Sequence, residues 1–262
     1  MIFEFEMRMM RELLCAVMGL LCGPVTLSAQ EQVKGEVRAD VVSHYMWRGL
    51  DKGGFSVQPQ ATVRWQGLSL QMYGSAGLNK EDNDELDLSL RYERAGFSIG
   101  VTDYWQTGID PKDRYLYYSQ RHGAHRFEGT VGYTCPYGSL HAYTMFGGND
   151  FKRSGKRAYS TYVELSVPFE LGGINWTARA GMSPFESAGY DEIFNDVGFF
   201  GDETHVEPHY TYADGAACVL ASLRATREIT LHDLRIPVFA ELHGNPYLQK
   251  ATLVFGLSIV FF

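Results

Sequence analysis

Ionisable side chains in this chain recur two residues apart: Arg38 and Asp40, Glu85 and Asp87, Arg91 and Glu93, Glu241 and His243. In an extended backbone, residues i and i+2 point to the same side, so each pair shares one face of a strand. The opposite face of the clearest example is apolar, with Leu86, Leu88, Leu90 and Tyr92 alternating against Asp87, Ser89, Arg91 and Glu93. Rows of fixed charge on one face and apolar side chains on the other suit a barrel whose interior is wet. There the charges either select ions or pair across the lumen and close it. The positions that fall on such inner faces, or at the rim where they end, are Arg38, Asp40, His44, Arg48, Glu85, Asp87, Arg91, Glu93, Glu128, Glu164, Arg179, Glu241 and His243. Arg48-Gly49 has two readings. Arg48 can present a positive charge to a pore mouth, or Gly49 can make a tight bend while Arg48 pairs with a nearby carboxylate.

Other chemistries have weaker support. His44, His141 and His243 lie in strand-like segments near Ser or Asn, the residue types of a lipid-cleaving barrel. Leu242-His-Gly-Asn-Pro246 has no Ser beside its His in sequence. Residues 183–213 carry Glu186, Asp191, Glu192, Asp196, Asp202, Glu203, Glu207, His205 and His209. Hard cations favour such oxygen ligands, but no rigid ligand spacing is present. A solvated acidic loop, bridged by divalent ions to lipopolysaccharide, is the simpler reading. Phosphate loops, His-Glu-x-x-His and Cys-x-x-Cys are absent, so no cofactor and no catalytic residue is expected. The net charge of −8 argues against nucleic acid as a partner, because phosphate binding draws on clustered Lys and Arg.

The elements that must position these charges are strands. Period-2 alternation runs through nearly the whole sequence after residue 35. It predicts about twelve strands, near 36–47, 57–65, 68–78, 85–94, 97–106, 124–133, 139–147, 157–167, 173–182, 214–225, 235–243 and 249–261, each near the 9–11 residues that a tilted strand needs to cross a bilayer. Links that follow even-numbered strands are mostly tight turns such as Gln66-Gly67 and Ala95-Gly96, with 226–234 the long exception. Those that follow odd-numbered strands include the long segments 107–123 and 183–213. Such segregation of loop lengths belongs to a transmembrane antiparallel up-and-down β-barrel with both termini in the periplasm. The last strand agrees. Leu253, Phe255, Leu257, Ile259 and Phe261 share one face, with Thr252, Gly256 and Ser258 on the other, leaving Phe262 out of phase. Cys135 in a predicted turn and Cys218 in a strand are not expected to bridge.

The N-terminus reads as an export signal. Arg8 and Arg11 precede the apolar run from Leu13 to Cys22, and small residues follow to Ala29. A positive flank, a short apolar core and a small-residue exit describe a secretory signal peptide, so residues 1–29 are expected to be removed, leaving 30–262 as the barrel. Leu21 is bulky where a lipoprotein would need a small residue before Cys22. Aromatic residues make up 14% of the chain, which suits the two interfacial girdles of an outer-membrane barrel.

Asp40-Val-Val-Ser-His-Tyr-Met-Trp-Arg-Gly49, followed by Ser56-Val-Gln-Pro-Gln60, resembles the start of the TorF-type porin family of Gram-negative bacteria. Tyr45, Trp47, Arg48 and Gly49 match the family's aromatic-x-aromatic-Arg-Gly element, and Gln58-Pro59 match the extended segment after it. The resemblance implies an outer-membrane barrel with a transport role, and it supplies neither a substrate nor catalytic residues. The sequence therefore points to a porin-like channel for small solutes or ions, set among outer-membrane lipid and lipopolysaccharide. The alternatives are a non-conducting surface barrel and a lipid-modifying hydrolase. Twelve strands lie between the eight that side chains fill and the sixteen that leave an aqueous channel. Acids outnumber arginines among the inner positions, so a conducting lumen is expected to prefer cations weakly. Reversal potentials in a salt gradient that favoured chloride would contradict this.

Overall fold

The computed structural model describes residues 33–78, 84–107, 114–198, 201–231 and 234–261, with the side chains of 191–207 and 231–234 left outside the description. The strands in chain order are β1 Lys34–Val42, β2 Tyr45–Trp47, β3 Leu50–Gly53, β4 Ser56–Trp65, β5 Leu68–Gly77, β6 Glu85–Arg94, β7 Phe97–Gln106 and β8 His125–Cys135. They continue as β9 Gly138–Gly148, β10 Thr161–Leu171, β11 Ile174–Ser183, β12 Gly189–Gly198, β13 Gly201–Tyr210, β14 Ala217–Leu231, β15 Leu234–Asn245 and β16 Lys250–Val260. The described residues contain no helix.

Twelve of these strands close an antiparallel barrel in the order β1-β16-β15-β14-β11-β10-β9-β8-β7-β6-β5-β4, while β2-β3 and β12-β13 are separate hairpins. Each neighbour in the wall is the next barrel strand in sequence, the up-and-down connectivity expected from the alternation. The seam forms where β1 pairs with both β4 and β16, through Arg38↔Gln60 and Arg38↔Val260. Closure leaves the barrel wall no sheet edge with unpaired N–H and C=O groups.

The two-residue links between barrel strands all fall at one end. Gln66-Gly67 and Ala95-Gly96 each have both central residues at positive φ, the geometry of a type I′ turn, whose twist matches that of the strands it joins. The long expected link 226–234 disappears because β14 extends to Leu231 and β15 begins at Leu234, with Ile229↔Ile236 and Leu231↔Leu234 in register. Cys135 ends β8 rather than lying in a turn, and Cys135 and Cys218 are both free.

Two expectations about strand extent need correction. The first strand ends at Val42 rather than near residue 47, and residues 45–53 turn back as the β2–β3 hairpin. Segment 183–213 is not only a loop, since it carries the β12–β13 hairpin.

The distribution of side chains reverses that of a soluble protein. Leu70, Leu90, Ile99, Val131, Leu140, Leu165, Leu242 and Leu253 are exposed on the outer wall. Glu85, Asp87, Glu128, Ser222, Glu241 and His243 are buried. Carboxylates are almost never fully buried unless they are paired, so this inversion says that the interior is polar by construction. On β16, Phe255 is 54% exposed and Val254 only 4%. That puts Val254 inside, against Val42 and Phe239. Phe262 lies outside the described residues.

Gly256 is where the seam is tightest. A Cβ there would overlap the Phe239 ring and crowd the Val41 carbonyl oxygen across β1. Gly256→Val should therefore destabilise the refolded barrel by about 1–3 kcal/mol, the usual cost of overpacking. The urea midpoint of the slow-migrating folded form would measure it, and an unshifted midpoint would show that the seam has slack.

Candidate functional site

The β2–β3 hairpin leaves the wall between β1 and β4 and enters the barrel. Its turn is Arg48-Gly49, with φ values of 51° and 84°, the same type I′ signature as the short turns. Glycine is required at position 49 for a second reason. A Cβ would overlap the Val219 carbonyl oxygen at the start of β14.

Arg48 is the centre of the site. Its Nη1 and Nη2 donate to Glu128 Oε2 and Oε1 at 2.5 and 2.8 Å, a forked arrangement that matches the planar guanidinium to the carboxylate. Nη1 also donates to the Tyr212 hydroxyl at 2.6 Å, and the Tyr104 hydroxyl donates to Glu128 Oε1 at 2.8 Å. The guanidinium lies 4.1 Å from the Tyr143 ring centroid, 4.7 Å from Trp47 and 5.0 Å from Tyr162. Burial holds the Tyr212 hydroxyl well above its ordinary range, against the opposing charge of Arg48. It therefore stays a neutral acceptor.

The aromatics form a continuous packing around that charge. Trp47 stacks on Tyr212 at 5.7 Å and meets Tyr104 edge-on at 6.0 Å, and Tyr212 stacks on Tyr162 at 5.6 Å. Tyr45, two residues before Trp47, donates to Glu85 Oε2 at 2.8 Å and packs near Tyr73 at 6.5 Å. Gln106 donates to the same Glu85 oxygen at 2.9 Å. On the far side, Asn245 Nδ2 donates to the Gly49 carbonyl at 3.2 Å. The hairpin rooted between β1 and β4 thus touches β5, β6, β7, β8, β9, β10, β14 and β15. The hairpin therefore crosses the lumen to reach eight of the twelve wall strands.

The remaining sequence-selected residues fall into three groups on the inner wall. Arg179 and Glu241 form an ion pair, with Arg224 and His243 also on Glu241 at 3.7 and 3.1 Å. Arg38 donates to Gln60 and lies 3.6 Å from Asp40 near the seam. Glu164 accepts from Tyr162 at 2.7 Å. Asp87 is buried beside Glu85 on β6, and Arg91 and Glu93 follow it towards the short-turn end, where Glu93 is exposed. His44 sits in the bend after β1 with Nδ1 3.5 Å from Ser43 Oγ. The structure brings Arg48 together with Glu128 and Arg179 together with Glu241. Among the described residues, His44, Arg91 and Glu93 join neither of these ion pairs.

The sequence reading missed Tyr104, Tyr143, Tyr162 and Tyr212. Tyr104, Tyr143 and Tyr162 alternate with outward residues along their strands and Tyr212 lies between β13 and β14, and only an inserted cation gives the four a common purpose. It also missed Ser222, which lies opposite His243 in the β14–β15 register. Ser222 Oγ accepts from Arg179 and His243 contacts Glu241, so both sit in an inward charged cluster rather than on the outer wall. Most of the acidic candidates in 183–213 have side chains within 191–207, outside the description.

If Arg48 and Glu128 act as one unit, Arg48→Met should cost about 3–5 kcal/mol by leaving Glu128 buried and alone. The double variant Arg48→Met/Glu128→Leu should recover most of that loss. Urea unfolding of the refolded barrel measures both, and a double variant as unstable as the single one would remove the pairing argument.

The chain matches no protein-family model and no curated protein.

Proposed function

We propose that this chain is an outer-membrane β-barrel with a porin-like lumen for small solutes or ions, held closed at rest by the β2–β3 hairpin. Four features support the membrane assignment. The outer wall is apolar, the inner wall is charged, loop lengths segregate to the two ends, and the first residues carry an export-signal pattern. The resemblance of residues 40–60 to the TorF-type porins points the same way, and its Tyr45, Trp47, Arg48 and Gly49 are the hairpin itself. Both termini would then lie in the periplasm.

One observation carries the closure: Arg48, at the hairpin tip, is ion-paired to Glu128 on β8 inside an aromatic cage. Below that level the wall is wetter. Side-chain exposures there are 39% for Arg38, 27% for Arg179 and 33% for Arg224. A vestibule open towards the short-turn end and sealed by the hairpin describes a gated passage. The same latch, with its groups so well paired, also favours the second reading, a non-conducting barrel that serves the cell surface.

The experiment that separates them uses planar bilayers. Val42 and Ser56 are register partners, so the intervening loop can be replaced by a short Gly-Ser turn. The wild-type barrel should be silent or show only rare small openings, and the replaced form should give discrete steps. Silence from a folded, hairpin-less barrel would leave the non-conducting reading. Free conduction by the wild type would contradict closure.

A further inference from the structure

Charge is unevenly spread on the rim that bears the long loops. Residues 114–123, which lead into β8, and 151–159, which lead into β10, contain Arg114, Arg121, Lys152, Arg153, Lys156 and Arg157 and no carboxylate at all, in a chain of net charge −8. These two segments touch. Arg121 Nη2 donates to the Gly155 carbonyl at 3.1 Å, and the guanidinium groups of Arg121 and Arg157 lie 4.2 and 4.7 Å from the centroid of the same Phe151 ring. Arg157 also donates to the Gly148 carbonyl at 3.2 Å. Carbonyl oxygens and a ring face satisfy these two cations without cancelling their charge. Lys152 differs, with Glu186 at 2.9 Å.

The position of this patch decides what it meets. Tyr118 stacks on His125 at 4.1 Å and lies 6.2 Å from Phe127, which lies 6.3 Å from Phe146. Phe146 is half-exposed on the outer wall and Leu116 is 81% exposed. The 114–123 segment therefore lies down over the outside of the barrel at its rim, rather than over the mouth. Two fixed guanidinium groups stand where the apolar wall gives way to water.

We propose that this rim binds the phosphate groups of an anionic outer-leaflet lipid, with its acyl chains lying along the wall below Phe146. The inference rests on the membrane reading above. Guanidinium groups match phosphate oxygens in a fork, and cations at a membrane surface add affinity for anionic headgroups residue by residue. Paired arginines also favour a lipid that carries more than one phosphate.

The test uses the full chain refolded in neutral maltoside micelles, with bound lipid counted by native mass spectrometry. Diphosphoryl lipid A should bind saturably and at least about tenfold more tightly than its dephosphorylated form. Arg121→Gln/Lys156→Gln/Arg157→Gln should lose that preference. The control Lys34→Gln/Arg94→Gln/Arg235→Gln removes the same charge outside this patch and should keep it. If the first triple variant does not give the slow-migrating folded form, the single exposed change Lys156→Gln should still weaken binding measurably. Equal binding of both lipids, or equal loss in the control, overturns the proposal. So does displacement of the lipid by low-millimolar inorganic phosphate, which would make the patch a site for the free ion. A chain that folds in no micelle or vesicle would instead overturn the membrane reading itself.

Discussion

An arginine moved from water into a protein interior loses solvation worth several kcal/mol, and the loss is recovered only where geometry supplies matched partners. Arg48 has such partners inside this barrel. Glu128 accepts both of its terminal nitrogens, Tyr212 accepts a third hydrogen bond, and Trp47, Tyr143 and Tyr162 present rings to the cation. Much else follows from that requirement. The hairpin has to turn inward to deliver the charge, and Gly49 has to be bare to pass the Val219 carbonyl. The tyrosines of β7, β9 and β10 then have something to surround. Remove the ion pair and the hairpin retains Trp47 against Tyr212 and Tyr104, Tyr45 on Glu85 and Asn245 on the Gly49 carbonyl.

The barrel was legible because its physics is local. Alternation between Leu88, Leu90 and Tyr92 and their charged neighbours needs no knowledge of distant residues. Turns such as Gln66-Gly67 announce themselves by composition. Strand ends were less legible. β14 overran its expected end by pairing Ile229 with Ile236, because a strand continues as long as its partner does. The first strand was overextended for a similar reason, since Tyr45 and Trp47 continue the alternation of β1 in sequence although the chain bends at Ser43-His44.

The latch was only half legible. Pairing of Arg48 with a carboxylate, beside a tight bend at Gly49, was one of the two readings the residue types allowed. The identity of that carboxylate did not, because Arg48 and Glu128 are eighty positions apart and only barrel closure makes them neighbours. One signal was available: Arg48-Gly49 has the form of the other two-residue turns, and a turn so soon after β1 leaves a hairpin too short to cross the wall. Such a hairpin has to go somewhere, and its Tyr, Trp and Arg suit a polar lumen better than bulk water.

The most direct measurement asks whether Trp47 is inside. A barrel carrying Trp65→Phe, Trp105→Phe and Trp176→Phe keeps Trp47 as its sole indole, and acrylamide quenching then reports its access to water. A seated hairpin predicts that Trp47 is well shielded in the folded barrel and becomes readily quenched when Arg48→Gln is added. Quenching as efficient as in the urea-unfolded chain, with or without Arg48, would contradict the account.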